Sequence, residues 1–211
     1  GYGIVSMGEK GVRFTVNIRN RDVDIFLPVP GIHNVSDALA AIACAVELGI
    51  TDENIQKGLI RYSSEKMRLN IMEYGNVKVI NDTYNAAPSS VMAALSVLRE
   101  ISGERRSIAV LGDMLELGEY ACEAHKSVGV RVAHENICYL VAIGELARDY
   151  VTGATEAGMD KSRTVHFSDP EKAVDFLKEL IKPDDVILFK GSRGMQLDRI
   201  IERIFEPAKD N

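Results

Sequence analysis

The chain has 211 residues, 46% of them hydrophobic and 27% charged, enough apolar material to bury the core of one or two soluble domains. A net charge of -6 and a pI near 5.3 exclude a general nucleic-acid or anionic-membrane surface, because both need a broad basic face. A local basic pocket for a nucleotide is compatible with that balance.

Residues 1–30 read as short strands of an antiparallel meander. Segments 12–16 and 23–27 alternate apolar and polar side chains, with Asn20-Arg21-Asp22 expected as the turn. Pro28-Val29-Pro30-Gly31 ends that pattern. Ala38, Ala41, Ile42, Ala45, Val46 and Leu48 then recur at helical spacing, and Gly49 supplies a stop. Asn34 or Ser36 is expected to cap this helix, and Thr51 a second one from 52 to about 61. Ser63-Ser64-Glu65-Lys66 is polar and unperiodic, which places a boundary between domains 1–64 and 65–211. Beyond it strands are expected at 77–80, 107–111, 138–143, 164–167 and 186–189. Helices are expected at 89–100, 120–134, 145–155, 170–181 and 195–205. This alternation is that of an α/β, mostly parallel, doubly wound sheet covered on both faces.

Cys44, Cys122 and Cys138 are odd in number and lack C-x-x-C spacing. They read as buried, reduced thiols of a cytoplasmic protein. No signal-peptide pattern opens the sequence, and the longest uncharged apolar run, 38–46, is too short to span a bilayer.

In doubly wound sheets ligands meet the loops after the carboxyl ends of strands. Three such loops are unusual here. In Asn81-Asp82-Thr83-Tyr84-Asn85, Asp82 can accept hydrogen bonds from ribose hydroxyls and Asn85 can face an anion, or both can be turn residues. Gly112-Asp113-Met114-Leu115-Glu116-Leu117-Gly118-Glu119 holds three carboxylates suited to a cation, a substrate amine, or nothing, with His125 in the following helix. Lys190-Gly191-Ser192-Arg193-Gly194 sets two cations around a small-residue turn at a helix entrance, an arrangement that can hold phosphate or carboxylate, or be a polar turn with solvated charges. There is no G-x-x-x-x-G-K-[ST] loop, G-x-G-x-x-G fingerprint, H-E-x-x-H, or G-x-S-x-G elbow.

Gly31-Ile32-His33-Asn34, then Arg68 at the domain joint, then Asp82-Thr83-Tyr84-Asn85-Ala86-Ala87-Pro88, the Gly112–Gly118 loop with His125, and Lys190-Gly191-Ser192-Arg193 follow in order. That succession resembles the Mur ligase family across residues 31–204. Within it, the Tyr84-Asn85-Ala86 and Gly112–Gly118 forms look like members that join D-alanyl-D-alanine to a UDP-N-acetylmuramoyl-tripeptide in peptidoglycan precursor synthesis.

The resemblance implies that 1–64 is the α+β end of a central ATPase domain and 65–211 a Rossmann-like C-terminal domain. It implies ATP and Mg2+, a UDP-N-acetylmuramoyl-peptide and D-alanyl-D-alanine as reactants, and an acyl phosphate route. The family's Gly-Thr-x-Gly-Lys-Thr loop, metal-binding Glu and His, and carbamylated Lys have no match in this sequence. The isolated chain is therefore expected to be inactive without N-terminal and central domain portions.

By matching motif, Asn34 and Asp37 belong beside adenine, Arg68 near phosphate or ribose, Asp82 at the ribose hydroxyls, and Tyr84 and Asn85 near the phosphates. Asp113, Glu116, Lys190, Ser192 and Arg193 fall on the substrate side, and no catalytic or metal-binding residue is carried over. Asp37 stands where the family usually has Asn, which leaves an acceptor without the amide donor. A folylpolyglutamate-synthase-like ligase and a non-catalytic nucleotide-binding module stay open, although the former favours Asp-x-Ala-His-Asn-Pro.

Overall fold

The computed structural model describes residues 1–205. The chain divides into two compact units, Gly1–Ser64 and Glu65–Asn211. Residues 206–211 of the expected second domain lie outside the described residues.

The first unit is an antiparallel sheet of β1 (Tyr2–Ser6), β2 (Val12–Ile18) and β3 (Arg21–Leu27), in that order. Period-two patterning turns Val12, Phe14, Val16 and Ile18 of β2 to one face, with Val23, Ile25 and Leu27 of β3. That face packs on Val35, Ala38 and Ile42 of α1 (Asn34–Glu47) and Ile55 of α2 (Asp52–Ile60). The hairpin turn lies one residue earlier than expected. Ile18 pairs with Arg21, so Arg19 and Asn20 form a two-residue turn with φ of 49° and 62°. Two consecutive left-handed residues match the twist of the flanking strands. Thr51 caps α2 by accepting the Asn54 N–H. Neither Asn34 nor Ser36 caps α1. Asn34 is its first residue, and its amide donates instead to the Pro30 carbonyl at 2.7 Å.

The second unit holds a six-stranded sheet in the order β4-β5-β9-β6-β7-β8. Its strands are β4 (Asn70–Tyr74), β5 (Val77–Asp82), β6 (Ser107–Gly112), β7 (Tyr139–Ile143), β8 (Thr164–Phe167) and β9 (Val186–Lys190). All pairings are parallel except β4 with β5. β4 had no counterpart among the expected elements. It is a half-exposed edge strand without clean alternation.

Helices α3 (Pro88–Ser102), α4 (Ala121–His134) and α5 (Arg148–Glu156) cover one face, where Ile80, Leu111, Leu140 and Leu188 point. Helices α6 (Pro170–Leu180) and α7 (Leu197–Phe205) cover the other, against Val79, Val110, Ile143 and Phe189. Two covered faces explain why β6 and β9 are buried at every residue and read as continuous apolar runs. Each such Leu, Ile or Phe contributes about 1.5–3 kcal/mol of burial. α4 and α5 cross at Gly129 and Gly153, where a methyl on either glycine would strike the backbone carbonyl of Tyr150 or Lys126.

The cysteines correct another expectation. Cys44 and Cys122 are exposed and Cys138 is half-buried. α1 buries the stripe Val35, Ala38, Ile42, and Cys44 falls two residues off it. No helix among the described residues is long and apolar enough to cross a membrane.

Candidate functional site

The site is built where β5, β9 and β6 end together. Parallel register sets Asp82 beside Lys190 and Lys190 beside Leu111, so the loops that follow start from one edge of the sheet. Lys190 is only 3% exposed and Asp82 9%. The Lys190 ammonium donates to Asp82 Oδ2 at 2.6 Å and to the Asn85 carbonyl at 2.9 Å. Asp82 Oδ1 accepts the Leu69 N–H at 3.1 Å. A desolvated carboxylate and ammonium are tolerable here because each satisfies the other and a backbone group besides. Both oxygens of Asp82 are thus engaged by the protein, beneath the site.

The second loop is fixed from four directions. Asp113 Oδ1 accepts the Ala147 N–H at 2.7 Å at the entrance to α5. The Asp113 carbonyl accepts the Ser192 N–H at 3.0 Å, and the Ser192 hydroxyl accepts the Leu115 N–H at 2.9 Å. His125, fully buried, accepts the Met114 N–H at Nε2 (3.0 Å) and faces the Ala121 carbonyl from Nδ1 at 2.6 Å. An acceptor at Nε2 and a donor at Nδ1 define the neutral tautomer with its proton on Nδ1. Gly144 (φ 122°) lies against the Asp113 carboxylate, where any side chain would collide with it. His125, prominent in the sequence, is therefore a loop anchor.

What remains open is a cleft of about 540 Å³ lined by Tyr84–Ala87, Leu115–Leu117 and Ser192–Gly194. The Arg68 guanidinium lies over the Tyr84 ring, 4.1 Å from its centroid, and both side chains are exposed. Asn85 turns its carboxamide oxygen to the Ala86 N–H. Arg193 pairs with Asp198 at 2.9 Å and stays half-exposed. Glu116 is exposed at φ 64°, a left-handed conformation that costs a non-glycine residue about 1 kcal/mol or more. The first turn of α3 opens beside Asn85, and the positive end of the helix dipole there suits an anion.

The structure thus gathers Tyr84, Asn85, Glu116, Ser192 and Arg193 around one cleft, with Arg68 stacked on Tyr84. It buries Asp82, Asp113 and Lys190 below them. Asn34 and Asp37 lie in the first unit, Asp37 exposed in the first turn of α1. Asp198, Tyr150 and the Leu69 and Ala147 amides were not foreseen. They act as partners, and no local sequence pattern marks them. No three His, Cys, Asp or Glu residues converge among the described residues.

Tyr150 supports the second loop from below, donating to the Gly112 carbonyl at 3.1 Å and packing on His125. Burial, and then the nearby Asp113 carboxylate, push its phenol far above the ordinary value. A raised native pKa leaves the stabilisation intact below the unfolded value near 10 and removes it above, by up to about 1.4 kcal/mol per pH unit. Alkaline absorbance titration of wild type and Tyr150→Phe is expected to show one fewer late-titrating phenol in the variant. Titration of Tyr150 near pH 10 without unfolding would refute its burial.

Residues 67–193 match the family model described as Mur ligase, glutamate ligase domain. The chain is 36% identical, over 96% of its length, to the UDP-N-acetylmuramoyl-tripeptide–D-alanyl-D-alanine ligase of Bacillus subtilis (strain 168), and covers 44% of that protein. It is 33% identical to the Escherichia coli (strain K12) ligase of the same description, over 93% of this chain and 42% of that one. Among solved structures, a crystal structure of MurF from Acinetobacter baumannii superposes with a TM-score of 0.86 at 32% identity, over 97% of this chain and 44% of that one. The chain therefore spans less than half the length of the relatives it matches.

Proposed function

The chain belongs to the Mur ligase family, and from that premise we propose that it serves as the nucleotide-closing, amine-presenting part of a ligase. The reaction would be ATP-dependent joining of D-alanyl-D-alanine to a UDP-N-acetylmuramoyl-tripeptide. The observation that carries this reading is the meeting of the Asp82, Gly112 and Lys190 loops on one cleft. Likeness over nearly the whole chain to ligases of that description supports it.

A carboxylate resists amines because oxide is a poor leaving group. Phosphorylation by ATP converts it to an acyl phosphate, which the amine attacks through a tetrahedral intermediate with loss of phosphate. The residues present fit the nucleotide: Arg68 and Tyr84 form an exposed cationic and aromatic ledge, and α3 opens its N-terminus beside them. Mg2+ supplies charge neutralisation between phosphates, and its ligands are expected on the portion of the relatives that this chain does not cover. The role of this chain is to bind and orient, which is where positional catalysis is gained or lost.

The test is a coupled phosphate-release assay on the full-length protein. Release should require both the UDP-N-acetylmuramoyl-tripeptide and D-alanyl-D-alanine. Arg68→Ala should raise the KM for ATP about tenfold, the weight of one charge-assisted contact. Release that ignores the dipeptide would refute the reading.

A further inference from the structure

We propose that the buried pair Asp82–Lys190 closes a clamp that holds Arg68 over Tyr84, so that both members of the pair are positioning residues for a nucleotide. This rests on the reading of Arg68 and Tyr84 as a nucleotide ledge, and it assigns the machinery beneath that ledge.

Arg68 stands between two left-handed residues, Met67 at φ 62° and Leu69 at φ 45°. Non-glycine side chains resist that conformation, so two of them around one residue persist only where the surroundings hold them. The holding contacts come from the loop after β5. The Met67 carbonyl accepts the Tyr84 N–H at 3.1 Å, and the Leu69 N–H donates to Asp82 Oδ1 at 3.1 Å. The Arg68 N–H donates to the Glu65 carbonyl at 3.1 Å, and Leu69 is buried in the core with Ile80 and Val91. The backbone of Arg68 is therefore fixed on both sides. Its side chain stays exposed, with the guanidinium 4.1 Å from the Tyr84 ring centroid.

Lys190 ties down the other half of the ledge. Its ammonium binds Asp82 Oδ2 at 2.6 Å and the Asn85 carbonyl at 2.9 Å, gripping the chain on either side of Tyr84. One charge thus fixes the Tyr84 loop directly, and the Arg68 segment through the Asp82 carboxylate. That carboxylate is held by a desolvated ammonium, so it is kept turned toward the Leu69 N–H. Lys190, expected on the substrate side, therefore acts on the nucleotide side, and it does so without touching the ligand. A ledge ordered in advance binds more tightly, because less side-chain and loop freedom is lost on binding.

The experiment is calorimetric titration of the full-length protein with a non-hydrolysable ATP analogue, and then, at saturating analogue, with D-alanyl-D-alanine. Wild type, Arg68→Ala, Asp82→Asn and the two changes combined form a cycle. The amide introduced by Asp82→Asn has one acceptor oxygen, too few to serve Lys190 and Leu69 together. Asp82→Asn should weaken the analogue about fivefold or more when Arg68 is present and less than about twofold when it is absent. Affinity for the dipeptide should stay within about twofold, which a general loosening of the fold would not allow. If Asp82→Asn alone lowers the melting temperature, Asp82→Asn with Lys190→Met, which leaves no buried charge, repeats the cycle. Equal losses with and without Arg68 would overturn the proposal, because Asp82 would then act independently of it. A loss confined to the dipeptide would overturn it too, and a wild type that does not bind the analogue would remove both the clamp and the ledge. If the coupling to Arg68 appears while phosphate release from ATP ignores the dipeptide, the ligase reading fails and the clamp stands.

Discussion

Lys190→Met is expected to destabilise the second unit by about 3–5 kcal/mol, the cost of leaving a buried carboxylate unpaired. The ammonium it removes holds Asp82 and the Asn85 carbonyl together from the end of β9, with almost no solvent to replace it. A screened surface pair would be worth well under about 1 kcal/mol, so the two pictures separate cleanly. Adding Asp82→Asn to Lys190→Met should recover at least about 1 kcal/mol. The neutral amide still accepts the Leu69 N–H and leaves no buried charge. Urea unfolding of wild type, the single variant and the double variant measures this. A loss below about 1 kcal/mol for Lys190→Met, with an unchanged denaturant slope, would show the pair to be screened.

Gly153→Ala is expected to cost about 3 kcal/mol or more, and Gly129→Ala a similar amount. Here α4 and α5 touch backbone to backbone. The added methyl on Gly153 meets the Lys126 carbonyl, and that on Gly129 meets the Tyr150 carbonyl. Neither obstacle is a side chain that can rotate aside, so the helices must separate and uncover the core around Val128, Val132 and Ala154. Helix propensity alone would favour alanine by about 1 kcal/mol, and the clash outweighs it. Gly58, in α2 with open space around it, is the control: Gly58→Ala should raise stability by about 0.5–1 kcal/mol. Thermal melts of the three variants decide it, and a stabilised Gly153→Ala would mean that the helices do not cross so closely.

The alternation of apolar runs and amphipathic helices made most of the second unit legible, because burial on both faces writes itself into β6, β7 and β9 as unbroken hydrophobic stretches. β4 escaped for the opposite reason: an edge strand needs less apolar surface, and its entry passes through Met67 and Leu69 with positive φ. The loops of the site could be read as unusual, but their side chains could not be sorted. Asp82 and Lys190 lie 108 residues apart, and only the sheet register brings them together. Asp82 and Lys190 were thus expected on the nucleotide and substrate sides, where the structure joins them in one buried pair. Likewise nothing around Asp113 announces that its partner is an amide in the loop after β7.

Strand β9 lies between β5 and β6, although it is the last of the six to be synthesised. While the chain is still growing, β5 has only β4 beside it and β6 only β7, and each lacks its second neighbour until residue 190 has emerged. The pocket-forming loops also wait for Lys190 and Ser192. The cleft is therefore assembled only after the last strand of this sheet has emerged from the ribosome. A chain arrested shortly before β9 would retain sticky strand borders that a chaperone could hold, and no assembled cleft.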